Sequence, residues 1–273
     1  MSADHQTPRV TLDQILVSRR EDVQRLNAAV SLTELKQRCR DLPPVRPFCQ
    51  TLRNVAGACG LSVIAEFKRM SPSEGEIRPG AEPAEIARLY EQNGAACMSV
   101  LTEPDYFGGK LEDLAAARGA VSLPVLRKDF LIDPWQIYES RAAGADCILL
   151  IAEAVSAARL QELYGLACEL GLDVLVELFE ESSLAAVCGL DPEPPLVGIN
   201  NRNLQTLKMY PGRTLEFRHR VPAGSWLVNE SGFSTPEAIR QSVEAGVQSF
   251  LIGTGLMKAD DPGRKLRELL GTA

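Results

Sequence analysis

The fold is indicated by a segment that recurs along the chain with the same order of residue types. It reads NGAACMSVL at residues 93–101, AGADCILLI at 143–151 and AGVQSFLIG at 245–253, with a fourth variant, LGLDVLVE, at 170–177. In each copy a glycine stands where a helix would end, because glycine takes a positive φ at low cost. An apolar run follows directly, as expected of a strand buried on both faces. The segment therefore predicts a helix that leads into a strand of a parallel sheet.

Similar apolar runs divide the whole chain into alternating strands and helices. Strands are predicted at residues 62–67, 96–101, 124–128, 146–151, 173–177, 196–200, 226–230 and 248–252. Helices are predicted between them, for example at 83–93, 134–143, 156–170 and 235–245. Eight such units favour a closed α/β fold, the (β/α)8 TIM barrel of about 250 residues, over an open doubly wound sheet. No G-x-G-x-x-G motif follows the first strand, which also disfavours the open sheet.

The first 60 residues lie outside the repeating pattern. Leu12 to Arg40 is predicted to be helical, and Pro43, Pro44 and Pro47 end that stretch. So few residues could not bury a core of their own. We therefore expect a single domain over residues 1–273, with an N-terminal helical extension at 1–60 packed on a barrel formed by 61–273.

Composition excludes several classes of function. The formal net charge of -7 argues against nucleic acid as a partner, since duplex binding needs a concentrated basic surface. No apolar run approaches the roughly 20 residues that span a bilayer, and the N-terminus lacks the apolar region of a signal peptide. The seven cysteines contain no C-x-x-C pair, so we expect free thiols and no metal site. These features predict a cytoplasmic protein.

Charged side chains stand at the predicted strand ends, where barrel enzymes place their catalytic groups. Glu66 and Lys68 are two residues apart, so the strand period points both the same way. Lys128 and Glu177 each end an apolar strand, where a charge is costly unless it is paired or functional. The structural alternative for Glu66 and Lys68 is an ion pair with each other. For Lys128 it is a side chain that reaches solvent or pairs with Asp129, and for Glu177 it is a pairing with a barrel lysine. The only histidines, His5 and His219, lie away from strand ends, so acid–base chemistry falls to lysine and glutamate.

A phosphate site is predicted after the last two strands. Glu230-Ser231-Gly232 follows the seventh strand and Gly253-Thr254 follows the eighth. Glycines there allow close approach of backbone N–H groups to phosphate oxygens, and the hydroxyls add donors. Asn200 and Arg202 suit hydroxyl or carboxylate groups, whereas Asn201 alternates away and is given no role. Ser71 is either a helix cap or a phosphate ligand.

Several motifs together resemble a known family. They are EFKRMSPS at 66–73, PVLRKDF at 124–130, VE at 176–177, GINNRNL at 198–204 and ESG at 230–232. In order and spacing they are similar to those of indole-3-glycerol-phosphate synthase, from about residue 10 to the C-terminus. That family also carries an N-terminal helical extension.

The resemblance implies a reaction and a set of site residues. In that reaction 1-(2-carboxyphenylamino)-1-deoxyribulose 5-phosphate closes its ring and loses carbon dioxide and water, without a metal or cofactor. Lys128 would be the general acid and Glu177 would handle a proton in the dehydration, while Lys68 would contact the substrate carboxylate. The implied catalytic set is Lys128, Glu177, Lys68, Glu66 and Asn200. The implied substrate-binding set is Ser71, Phe107, Phe130, Arg202, Glu230, Ser231, Gly232, Gly253 and Thr254. Other enzymes of tryptophan biosynthesis are suggested as partners.

Some positions depart from the family pattern. Glu74 stands where the family often has lysine, and Met70, Asn229 and Gly255 are also less usual. These differences keep open a paralogue that serves a secondary indole pathway. Two further alternatives are another phosphate-binding barrel enzyme of the phosphoribosyl isomerase type and a non-catalytic phosphate-binding protein. The second would have no need for Lys128 and Glu177 inside a barrel.

Overall fold

A computed structural model describes residues 10–272 and contains a closed barrel of eight parallel strands. Each strand pairs with the next along the chain, and the last pairs with the first. The strands are β1 Ser62–Phe67, β2 Cys97–Leu101, β3 Val125–Lys128, β4 Cys147–Ile151, β5 Asp173–Leu178, β6 Leu196–Asn200, β7 Trp226–Glu230 and β8 Ser249–Ile252. This ring confirms the predicted (β/α)8 barrel, and no strand boundary differs from its prediction by more than one residue.

Helices surround the barrel and precede it. They are α1 Leu12–Ala29, α2 Leu32–Cys39, α3 Phe48–Cys59, α4 Pro83–Gln92, α5 Pro104–Phe107, α6 Leu111–Ala120, α7 Pro134–Ala142, α8 Ala157–Glu169, α9 Leu184–Cys188, α10 Arg213–Phe217, α11 Pro236–Glu244, α12 Thr254–Met257 and α13 Pro262–Leu270. Pro83, Pro134 and Pro236 are the first residues of their helices, where the missing N–H breaks no hydrogen bond.

The N-terminal stretch differs from its prediction, because Leu12 to Arg40 forms two helices instead of one. Val30 is extended, with φ -131° and ψ 112°, and separates α1 from α2. The Ser31 hydroxyl accepts a hydrogen bond from the Glu34 N–H and so begins the second helix. The Trp135 indole N–H donates to the Val30 carbonyl at 2.8 Å, which compensates the carbonyl that left the helix. The first nine residues, which include His5 and most of the segment examined for a signal peptide, lie outside the described residues, as does Ala273.

The core has an inner and an outer layer. Side chains inside the ring, such as Ile64 and Leu126, join residues of α1 and α3, whereas their strand neighbours pack outward against the surrounding helices. Helix α3 covers the amino-terminal end of the barrel. Its Phe48 and Leu52 are fully buried, and the Cys49 N–H donates to Asp173 at the start of β5. The opposite end of the barrel remains available for a site.

All seven cysteines are free thiols, and no helix of the described chain is long and apolar enough to cross a membrane. Cys97 and Cys147 are fully buried, and burial raises the pKa of both thiols well above its usual value. They therefore act as small apolar side chains in the inner core.

A buried ion network joins α1 to the barrel. The side chain of Arg19 is 3% exposed and pairs with Asp129 just after β3. Asp129 also accepts from Thr102 at 2.6 Å and pairs with Arg127 at 3.1 Å. Burial would raise the pKa of Asp129, but the two guanidinium groups and its hydrogen bonds hold it below its usual value. The network therefore connects the extension to the strand that ends in Lys128.

We expect the substitution Arg19→Ala to lower the free energy of unfolding by about 3 kcal/mol, because it leaves a buried carboxylate short of one partner. Urea denaturation followed by circular dichroism measures this change. The matched control is Arg20→Ala at an exposed position of the same helix, with an expected effect within about 0.5 kcal/mol. Equal effects of the two substitutions would contradict a stabilising role for the network.

Candidate active site

A cavity of about 380 Å³ opens at the carboxyl ends of the barrel strands. It is lined by every residue that the sequence analysis selected for the site: Glu66, Lys68, Ser71, Phe107, Lys128, Phe130, Glu177, Asn200, Arg202, Glu230, Ser231, Gly232, Gly253 and Thr254. Strand ends that are far apart in sequence meet here because the ring is closed and parallel. The chemical role of each residue stays a prediction.

Glu66 and Lys68 form an ion pair on the inner side of β1. The Lys68 ammonium donates to Glu66 Oε1 at 2.6 Å. Gly253 makes room for this carboxylate, since a Cβ at that position would lie less than 3 Å from Glu66 Oε1. The strand period thus places both charges in the cavity, as expected, and they pair with each other as the structural alternative proposed.

Lys128 points into the barrel and contacts two carboxylates. Its ammonium donates to Glu177 Oε2 at 2.9 Å and lies 3.6 Å from Glu230 Oε2. Both glutamate side chains are only 2% exposed. The alternative of an ion pair with Asp129 is wrong, because strand alternation turns Asp129 outward to Arg127. The cavity therefore holds an ammonium between two buried carboxyl groups.

Asn200 orients Glu177 through its side-chain amide. Its Nδ2 donates to Glu177 Oε1 at 3.0 Å, and its Oδ1 accepts from the Arg202 N–H at 2.9 Å. The backbone N–H thereby fixes which end of the amide faces the carboxylate. Arg202 itself donates to the Leu207 carbonyl in the following loop. Asn200 thus leaves one Glu177 oxygen directed at Lys128.

The charged groups of this cluster shift each other's pKa values. Burial would lower the pKa of Lys128, but the carboxyl groups of Glu177, Glu230 and Glu66 together raise it above its usual value. Burial would raise the pKa of Glu177, yet Lys128 and hydrogen bonds lower it. Burial and the neighbouring Glu177 raise the pKa of Glu230 well above its ordinary range. The pKa values of the two glutamates are therefore shifted in opposite directions, although both carboxyl groups lie beside the same ammonium.

The segment after β7 has an unusual backbone that a buried network supports. Ser231 has φ 67°, a conformation that costs energy for a residue other than glycine, and Gly232 has φ 94°. The Asn201 side chain donates to the Ser231 carbonyl at 3.1 Å and to Asn229 Oδ1 at 2.7 Å. Thr214 donates to the same Asn229 oxygen at 2.5 Å. Asn201, which the sequence analysis left without a role, therefore helps to hold the predicted phosphate segment.

An apolar region occupies another side of the cavity. The Phe107 and Phe130 rings lie 6.0 Å apart between their centroids. Further apolar residues line the cavity from α1 and from the loop after β6: Val10, Leu12, Ile15, Leu204 and Leu207. The sequence analysis selected none of these five residues for the site. The site thus has apolar, ionic and hydroxyl-rich parts.

Glu74 contacts a lysine at the rim of the cavity. It accepts from the Lys258 ammonium at 2.5 Å, and both side chains are partly exposed. The acidic residue that stands where the family often has lysine therefore pairs with a cation that follows β8, the strand next to β1 in the barrel. Its charge does not act alone near the predicted phosphate segment.

Comparison with known proteins identifies the family. Residues 12–269 match the family described as indole-3-glycerol phosphate synthase. The chain belongs to this family. An indole-3-glycerol phosphate synthase from Bordetella pertussis is 44% identical over 259 residues, which cover 95% of this chain and 98% of the relative. The function of the chain is therefore that of an indole-3-glycerol phosphate synthase, a carboxy-lyase of tryptophan biosynthesis, as the sequence motifs predicted. The phosphoribosyl isomerase and non-catalytic alternatives are set aside.

Solved structures share the fold at low identity. Tryptophan synthase subunit alpha from Legionella pneumophila superposes with a TM-score of 0.59 and 13% identity, covering 82% of this chain and 96% of that one. A mutant tryptophan synthase alpha subunit from Pyrococcus furiosus gives a TM-score of 0.59 and 14% identity, covering 77% of this chain and 98% of that one. These likenesses support the barrel architecture alone.

We expect Gly198→Ala to lower kcat of this synthase by about 10²-fold, because a displaced group near the chemistry can cost that much. A Cβ at residue 198 would lie less than 3 Å from Glu230 Oε1, so the carboxyl group must move. Steady-state kinetics measure the loss, and circular dichroism checks the fold.

The matched control is Gly119→Ala, at an exposed helical position with no atom within 4 Å of the added Cβ. It should leave kcat unchanged and slightly raise stability. A Gly198→Ala enzyme with normal kcat would show that the position of Glu230 is unimportant.

Proposed function

We propose that the cavity binds 1-(2-carboxyphenylamino)-1-deoxyribulose 5-phosphate and converts it to indole-3-glycerol phosphate, carbon dioxide and water. The observation that carries the proposal is the Lys128 ammonium, 2.9 Å from Glu177 and 3.6 Å from Glu230. It stands in a cavity that also offers an apolar part and a hydroxyl-rich part. Ring closure develops negative charge on a carbonyl oxygen, and a fixed ammonium stabilises that charge.

The proposed substrate pose follows the three parts of the cavity. The phosphate lies against the hydroxyls and glycines at the ends of β1, β7 and β8, which are Ser71, Ser231, Gly232, Gly253 and Thr254. The carboxyphenyl ring lies between Phe107, Phe130 and the apolar side chains of α1. Lys68 and Arg202 supply positive charge for the carboxylate and hydroxyls, despite the net charge of -7. The pose brings the two reacting carbons of one molecule together.

Lys128 acts in the first chemical step of the proposal. The ring carbon that bears the carboxylate attacks the ketone carbon, and the carbonyl oxygen takes a proton from the ammonium. Carbon dioxide then leaves, and its bonding electron pair restores the aromatic ring. No step requires electrons from outside the substrate.

The other polar side chains of the cavity also have roles in the proposed reaction. Glu177 accepts the carbon-bound proton when water is eliminated, since its pKa is lowered and it is ionised at neutral pH. Asn200 keeps that carboxylate oriented, and Glu66 orients Lys68 through their 2.6 Å contact. Arg202 supports the substrate near the loop after β6.

We also propose that the enzyme works in the cytoplasm, because its seven thiols are all free. Residues 1–60 and 61–273 are proposed to form one domain, since α1 lines the cavity and is tied to β3 through Arg19 and Asp129. Other enzymes of tryptophan biosynthesis are proposed as partners that use the product.

Lys128→Ala should lower kcat by about 10²- to 10⁴-fold while the substrate still binds, because the proton transfer belongs to the transition state. Indole fluorescence follows turnover, and equilibrium titration of the variant gives the dissociation constant. Lys36→Ala, which removes the same charge from an exposed site on α2, should leave kcat unchanged. Near-normal turnover by Lys128→Ala would refute its role.

Gly232→Val should raise KM by about tenfold or more before it changes kcat, since the added side chain meets Met209 and blocks the phosphate segment. Gly246→Val is the matched control, because Gly246 has a similar positive φ of 89° but no neighbour within 4 Å and does not line the cavity. If both variants lose stability alike and neither changes KM, the phosphate lies elsewhere.

A further inference from the structure

Asn229 is one of the positions that depart from the family pattern, and it has no part in the proposed reaction. It alternates with Glu230 along β7, so its side chain points away from the cavity and is buried on the outer side of the barrel. A buried amide is costly unless its hydrogen bonds are made. The hydrogen-bond partners of this amide therefore indicate its role.

Three buried side chains fix the orientation of the Asn229 amide. Its Oδ1 accepts from Asn201 Nδ2 at 2.7 Å and from the Thr214 hydroxyl of α10 at 2.5 Å, so both lone pairs of this oxygen are used. Its Nδ2 donates to the Ser242 hydroxyl of α11 at 3.2 Å. Asn229 thus joins the loop after β6 to the two helices that follow β6 and β7.

The Asn201 amide is fixed in turn. One hydrogen of its Nδ2 is directed at Asn229, and the other is shared between the carbonyls of Glu230 and Ser231, each at 3.1 Å. Its Oδ1 accepts from the Thr214 backbone N–H at 3.4 Å. Carbonyls can only accept and a backbone N–H can only donate, so this amide has a single possible orientation.

The anchored carbonyl determines the direction of the next N–H group. The peptide bond between Ser231 and Gly232 is trans, so the Gly232 N–H points to the side opposite the Ser231 carbonyl, away from Asn201. Gly232 lines the cavity, and its N–H has no acceptor within residues 10–272. Ser231 has φ 67° and is followed by a glycine with φ 94°, and such a peptide can rotate easily unless one of its groups is held.

We propose that Asn201 and Asn229 are positioning residues for the substrate phosphate. Asn229 fixes the Asn201 amide, Asn201 holds the Ser231 carbonyl, and the Gly232 N–H is thereby directed at a phosphate oxygen. This inference rests on the proposed function, in which the phosphate lies against Ser231 and Gly232. A donor that is oriented before binding costs less conformational entropy when the ligand arrives. Neither asparagine lines the cavity, so both act on affinity through the backbone.

The test compares two ligands that differ only in the phosphate. We expect Asn229→Ala to raise the dissociation constant of indole-3-glycerol phosphate by about tenfold, as for the loss of one well-placed hydrogen bond to a charged group. The dissociation constant of indole-3-glycerol, which lacks the phosphate, should stay unchanged. Fluorescence titration measures both constants. In steady-state kinetics the variant should raise KM and leave kcat unchanged, because the groups that contact the reacting carbons are not moved.

Two further variants separate this effect from a general loss of stability. Asn229→Leu fills the same space without polar atoms and should give the same selective loss of affinity, and circular dichroism checks its fold. Asn93→Ala is the matched control, because its amide donates to the Leu89 carbonyl at 2.7 Å at the end of α4 and does not line the cavity. Both dissociation constants of the control should equal those of the wild type.

The possible failures are distinguishable. If Asn229→Ala weakens both ligands alike, or weakens neither, the asparagine pair does not position the phosphate donor and the inference is overturned. If the wild-type enzyme binds indole-3-glycerol as tightly as its phosphate, the phosphate pose of the proposed function fails as well. A wild-type preference for the phosphate that persists undiminished in Asn229→Ala overturns this inference alone.

Nuclear magnetic resonance tests the direction of the N–H group independently of turnover. In enzyme labelled with isotopic glycine, the Gly232 amide proton should shift downfield when inorganic phosphate is added, because a hydrogen bond to an anion withdraws electron density from the proton. At saturating phosphate the shift should be smaller in Asn229→Ala. Equal shifts in the two proteins would mean that the N–H is oriented without the asparagine pair, which would overturn the proposal.

Discussion

The partly buried ammonium of Lys128 constrains the arrangement of the strands at the carboxyl end of the barrel. A charge at the end of an apolar strand is tolerated only when opposite charges reach it, because water is largely excluded there. Glu177 from β5 meets it at 2.9 Å and Glu230 from β7 lies at 3.6 Å, so strands on several sides of the ring must close to a fixed width. The glycine at 198 belongs to the same constraint, since any side chain there would displace the Glu230 carboxyl group.

Two neighbours of Lys128 in sequence serve a different layer of the molecule. Arg127 and Asp129 alternate to the outer side of β3, where they form an ion network with Arg19 of the N-terminal helix. One strand end thus contributes a lysine to the cavity and an ion pair to the contact with the extension. Because α1 also lines the cavity with Leu12 and Ile15, docking of the extension and formation of the apolar part of the site are the same packing event.

Much of this architecture was predictable because its signals are local. The glycine at a helix end and the apolar run after it recur at Gly94, Gly144 and Gly246, and each is followed by a barrel strand. The break of the N-terminal helix at Val30 was missed, since it depends on a distant donor, the Trp135 indole. The role of Asn201 was missed for a similar reason. Strand alternation shows that its side chain points away from Asn200, but not which carbonyls it meets.

The sequence by itself determined the closed α/β architecture, the family and the residue types at the strand ends, because helix ends, strand period and motif spacing are properties of neighbouring residues. Only the tertiary structure decided which charges pair. In the folded chain Lys128 pairs with Glu177 and Asp129 pairs with Arg127, whereas Glu230 lies 3.6 Å from Lys128 and has no cation of its own. The pairing of these charges depends on distances across a closed ring and on exclusion of water from it. Neither can be read from any single segment of the sequence.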